Sequence, residues 1–192
     1  MKDEDRQAFY DYGERLEGGI RTAVEAWCED QVAAKLQYGP IASWNTSEIT
    51  NMEYLFYDFK AGFNEDISRW DVSNVTSLHY TFWCATSFNG DLSRWDVSNV
   101  TSLIRTFNGA TSFNGDLSRW DVSKVTSMIF MFSGATSFDQ QLGDAWARST
   151  APKICMFNRS PGSIVGQDDK SQDGGNGRNA AVFGAGIPGY GS

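Results

Sequence analysis

The sequence predicts an α/β solenoid, and three observations carry that prediction. A unit of 25 residues occurs three times in tandem, with 16 of its 25 positions identical in every copy. Each unit holds two apolar periodicities, one suited to a short strand and one to a short helix. No single unit can bury its own apolar side, so copies must stack to share a core.

The copies read FNEDISRWDVSNVTSLHYTFWCATS at 63–87, FNGDLSRWDVSNVTSLIRTFNGATS at 88–112 and FNGDLSRWDVSKVTSMIFMFSGATS at 113–137. Partial copies flank them. Residues 44–62 read W-x-x-S-x-I-T-N-M-x-x-x-F with one extra residue before Phe63, and residues 138–157 open as FDQQLGDAW and close on CMF.

In the middle copy, Leu92, Trp95 and Val97 are apolar, while Arg94 and Asp96 alternate with the last two. Period-two alternation predicts a short strand with one face inward. Asn89-Gly90-Asp91 before it is a turn cluster. Val100, Leu103, Phe107 and Ala110 then step by three, four and three, the period of a short helix with one buried stripe. Ser98 or Asn99 is placed to cap that helix, and Gly109 to leave it. Stacking would turn each position into a column: Trp70 over Trp95 over Trp120, Phe63 to Phe138, and Phe82 to Phe132, at a strand spacing of about 4.8 Å.

The flanks differ from the repeats. Leu16, Ile20, Val24 and Trp27 are spaced for an amphipathic helix over 14–37, stopped at Gly39-Pro40. Residues 1–40 are therefore expected to form a helical cap over the first open edge. Residues 41–157 are the stack. Residues 158–192 hold nine glycines in 35 positions and are expected to be a disordered tail.

Composition removes several functions. Sixteen Lys and Arg against 24 Asp and Glu give a net charge of −8, which disfavours nucleic acid and anionic membrane as partners. No apolar run is long enough for a membrane-spanning helix. One histidine and three widely spaced cysteines (Cys28, Cys84 and Cys155) do not make a zinc site or a disulfide scaffold. The thiols are expected to be reduced and partly buried. The charged start MKDEDRQAFYDYGERLEGG has no apolar h-region and predicts no signal peptide.

The unit F-N-x-D-[IL]-S-x-W-D-V-S-x-V-T-x-[LM]-x-x-x-F-x-x-A-x-S resembles the BspA-like leucine-rich repeat surface proteins, abundant in mycoplasma lipoproteins and in protists such as diatoms. The likeness spans residues 41–157, and LEGGIRTAVEAWCEDQVAAKLQYGPIASW resembles the leader before such repeats in protist members. The resemblance implies a leucine-rich-repeat-like stack of short strand plus short helix per repeat, with an N-terminal capping helix. It implies display outside the cell or on its surface, and adhesion to host or matrix proteins. It supplies no catalytic residues. With no signal peptide expected in this chain, a cytoplasmic location stays open.

Two sets of residues are candidates for function. Arg69, Arg94 and Arg119, with Asp71, Asp96 and Asp121 two residues on and Asp66, Asp91 and Asp116 three residues back, form a charge ladder. It is expected either to satisfy itself as interleaved columns of opposite sign or to dock an acidic or polar partner. A calcium role is disfavoured, because the spacing of a calcium loop is absent. The second set lies where the copies vary: Tyr80, Trp83, Arg105 and Phe130 are residue types that anchor interfaces. His79 has no carboxylate or cysteine arranged around it in sequence.

Three functions follow in order of support. The first is a non-enzymatic module binding an unidentified protein partner, as a monomer, with no cofactor, metal or small-molecule substrate. The second is a structural spacer or intracellular scaffold with no specific ligand. The third, an enzyme, finds no Ser-His-Asp order, metal cluster or phosphate loop in the sequence.

Overall fold

The computed structural model describes residues 19–57 and 62–166. Leu16 and the tail from residue 167 onward lie outside them.

The cap holds two helices where the sequence predicts one. Helix α1 (Ile20–Glu29) buries Ile20, Ala23, Val24 and Trp27 on one face. Helix α2 (Gln31–Tyr38) follows after a single residue. Asp30 makes the break. Its backbone is extended, its N–H closes α1 by donating to the Ala26 carbonyl, and its carboxylate accepts from the amides of Val32 and Ala33, both at 3.0 Å. An aspartate serves well as such an N-cap, and this one outweighs the continuous apolar spacing across it. Gly39, at φ 74°, ends α2.

Within the repeats the chain is a series of turns rather than a strand and a helix. Among the described residues the only strands are β1 (Gln141–Leu142) and β2 (Ser163–Ile164), paired in parallel, and the only helix after the cap beyond a 3-10 turn at Ile41–Ser43 is α3 (Asp144–Arg148). The turns explain the misleading period. In the middle copy, amides three residues on bond back to the carbonyls of Leu92, Val97, Phe107 and Ala110. Each such turn carries an inward apolar residue at both of its ends: Leu92 and Trp95, Val97 and Val100, Phe107 and Ala110. Steps of three and four arise from corners as readily as from a helix. Asn99 is correspondingly not a helix cap, since its amide donates to the Ser73 carbonyl of the preceding copy at 2.8 Å.

Consecutive copies lie in register. Parallel bridges run Asn51–Ser77–Ser102–Ser127. The amides of Leu78, Tyr80, Phe82 and Cys84 donate to Ser102, Ile104, Thr106 and Asn108 of the next copy, while the amides of Thr81, Trp83 and Ala85 between them turn back within their own copy. Along 78–85 both directions are thus used, and every amide is paired within the protein, His79 through the Ser77 hydroxyl.

The core is two interleaved columns of phenylalanine. Phe82, Phe107, Phe132 and Phe157 stack at 5.3 to 5.6 Å. Phe63, Phe88, Phe113 and Phe138 stack at 5.9 to 6.0 Å, and Phe107 meets Phe113 across the columns at 4.0 Å. Each buried ring contributes roughly 1.5–3 kcal/mol. The stack continues past the boundary expected at residue 157: Ile164 is buried, and the Ser160 hydroxyl donates to the Phe138 carbonyl. No helix among the described residues is long and apolar enough to cross a membrane.

Candidate functional site

Three of the four variable residues occupy one column, and its backbone is left-handed throughout. Tyr54, Tyr80, Arg105, Phe130 and Cys155 have φ between 52° and 58°. None is glycine, although the conformation costs an L-residue about 1–2 kcal/mol. The neighbouring left-handed column, Cys84, Gly109, Gly134 and Arg159, does use glycine twice. The fold thus holds bulky side chains where glycine would be conformationally easier, and they emerge on one side of the stack.

These side chains stack on one another. Tyr54 and Tyr80 lie face to face at 4.7 Å. The Arg105 guanidinium sits over the Tyr80 ring at 5.4 Å and over the Phe130 ring at 4.9 Å. Trp83 belongs to the adjacent column, stacked on Tyr57 at 6.1 Å and edge-on to Tyr80 at 5.1 Å. His79 packs on Tyr80 at 4.3 Å. Tyr54 is 37% exposed and the others are half-buried. Burial lowers the His79 pKa, with Glu53 opposing and Arg105 acting in the same direction as burial. Burial raises the Tyr54 pKa. Glu53 accepts from the Ser77 hydroxyl at 2.7 Å.

Tyr54 and Tyr57 were not singled out by sequence. They belong to the degenerate first copy, whose step to the next is 26 residues (Trp44 to Trp70, Tyr54 to Tyr80) rather than 25. Aligning that copy with its one-residue insertion brings both tyrosines into line.

The charge ladder is a set of turn caps. Asp71, Asp96 and Asp121 accept from the amides of Ser73, Ser98 and Ser123 at 2.9 to 3.0 Å. Asp66, Asp91 and Asp116 do the same for Ser68, Ser93 and Ser118 at 2.8 to 3.0 Å. These serine hydrogen bonds hold Asp66, Asp91, Asp96, Asp116 and Asp121 below the ordinary carboxylate pKa. Arg69, Arg94 and Arg119 are exposed. No ion pair within 4.0 Å joins them to these aspartates; among the described residues the pair within that distance is Arg148–Asp144. The interleaved ion-pair columns expected from sequence are therefore absent there, because the serine amide two residues on, 2.8 to 3.0 Å away, outcompetes a flexible arginine for each carboxylate. Between copies the ladder is carried by neutral side chains: Asn64, Asn89 and Asn114 each accept from the amide 25 residues on.

The family model described as "Mycoplasma protein of unknown function, DUF285" matches residues 27–159. No curated protein and no solved structure matches the chain. The match covers the cap's second half and every repeat, and the chain belongs to this family of BspA-like mycoplasma repeats.

Proposed function

We propose that this member of the DUF285 family is a non-enzymatic, leucine-rich-repeat-like solenoid that binds a protein partner, in the manner of a cell-surface or adhesion module, through the face built on Tyr54, Tyr80, Arg105 and Phe130. One observation carries the reading. Bulky aromatic and cationic residues are held in a left-handed backbone column and kept half-exposed, beside a core that buries its other large rings. Strain of this kind is retained where the surroundings over-determine it, and it gathers at binding sites. Tyr, Trp and Arg are also the residues that carry interface energy.

The test is surface-immobilised binding of the full chain to a panel of cell-surface and extracellular-matrix proteins, repeated with the triple variant Y80A/W83A/F130A. Saturable binding to one partner, weakened at least about tenfold in the variant while its circular dichroism is unchanged, supports the reading. Equal binding by both proteins removes this face from the account.

A second reading, a structural spacer, is favoured by the C-terminal end of the stack. The amides of Lys153, Cys155, Phe157 and Arg159 stand where every earlier copy donates to the next, and they donate to no described residue. Such an edge invites end-to-end pairing. Sedimentation that shows concentration-dependent growth, with no partner in the panel, would select it.

A further inference from the structure

We infer that the Arg105 sandwich is a carboxylate-binding site, made for an acidic side chain presented between apolar ones on an extended segment of the partner. The inference rests on the proposed binding face and names its chemistry.

The guanidinium carbon lies over two rings, one from each neighbouring copy: Tyr80 at 5.4 Å and Phe130 at 4.9 Å. Neither ring accepts a conventional hydrogen bond from its N–H donors, and Arg105 is only half-buried, so those donors can meet an arriving group. No ion pair among the described residues engages Arg105. The Asn108 side-chain amide donates to the Ser133 carbonyl at 2.9 Å, and one oxygen of Glu53 accepts from the Ser77 hydroxyl at 2.7 Å. Contact with two rings restricts the side chain before any ligand arrives, so less rotamer freedom remains to be lost when a carboxylate accepts two parallel hydrogen bonds.

The flanks select the rest of the ligand. Ile104 and Ile129 are half-buried beside the column, and Ile154 beyond them is 53% exposed. They continue the apolar character of the rings on either side of the single cation. A chain of net charge −8 opposes a phosphate group of about −2 more than a carboxylate of −1. A glutamate or aspartate between two aliphatic residues satisfies the fork and covers both flanks.

The experiment titrates the full chain with acetyl-Leu-Glu-Leu-amide and, separately, acetyl-Leu-Gln-Leu-amide, following the Arg105 Nε–H and Trp83 Nε1–H resonances. The Glu peptide is expected to shift both saturably and to bind about tenfold more tightly than the Gln peptide. R105Q, which keeps a planar polar end and removes the charge, is expected to abolish that preference. Equal affinity of the two peptides overturns the carboxylate assignment and leaves the aromatic face standing. So does an equal shift of Arg105 by inorganic phosphate, or no saturable shift by the Glu peptide up to about 10 mM. The face itself is judged separately, by the triple aromatic variant.

Discussion

The indole N–H of Trp95 donates to the carbonyl of Ile67, 3.1 Å away in the preceding copy. The same bond recurs from Trp70 to Ile41 at 2.9 Å, from Trp120 to Leu92 at 3.0 Å and from Trp146 to Leu117 at 3.3 Å. Each tryptophan thereby fills the core with its ring and fixes the register with its one polar atom. Trp27 in the cap is different, since its buried Nε1 has no hydrogen-bond partner. W95F should therefore destabilise the chain by about 2 kcal/mol, from one lost hydrogen bond and the lost ring volume. W27F should cost clearly less, because it also removes an unsatisfied donor. Urea unfolding of both variants measures the difference, and a W27F penalty larger than that of W95F would contradict the register-setting role.

The aspartate caps predict acid sensitivity. Hydrogen bonds from the serines depress the folded pKa of Asp66, Asp91, Asp96, Asp116 and Asp121. A depressed folded pKa means that the unfolded chain binds more protons as acid is added. The associated stability is present above the unfolded carboxylate value of about 3.9 and is lost as pH falls through the folded values. Stability should thus decline from about pH 5 downward. In D91N/D96N/D116N the decline should be shallower, with lower stability at neutral pH. Urea midpoints across that range test it, and parallel pH curves for the two proteins would refute the capping account.

Two equivalent glycines should respond differently to the same substitution. Gly109 and Gly134 both have φ above 70°, so alanine is strained at either position by about 1–2 kcal/mol. A Cβ on Gly109 would also meet the Cys84 Sγ at 3.1 Å, whereas one on Gly134 would find nothing nearer than the Gly109 backbone at 3.6 Å. G109A should be the more damaging change in thermal unfolding. Equal damage would show that backbone strain alone sets the cost, and the reverse order would contradict the role given to the thiol.

The inward residues of the fold were legible because identical positions had to share one core. Leu92, Trp95, Val97, Val100, Leu103, Phe107 and Ala110 all point in, as their spacing requires. The local elements were not legible, since corners of three residues and helical turns leave the same apolar spacing. The break at Asp30 was hidden because a capping aspartate does not interrupt the apolar period. Of the candidate site, the variable positions were visible as differences between copies. Their shared left-handed backbone was not, since Tyr, Arg and Phe carry no sign of positive φ in the way glycine does. For the charge ladder, alternation in sequence shows which residues project outward but not whether a nearer serine amide reaches the carboxylate first.

Amide hydrogen exchange reads the central relationship, the donation of alternate amides from each copy to the next. The amides of Tyr80, Arg105 and Phe130 donate to the next copy at 3.0 Å, and the equivalent amide of Cys155 donates to no described residue. Residue-resolved exchange should show the first three strongly protected and Cys155 exchanging far faster, with Phe157 like Cys155 and Phe132 like Phe130. Protection of Cys155 equal to that of Phe130, or exchange of all four at unfolded-chain rates, would contradict the in-register stack.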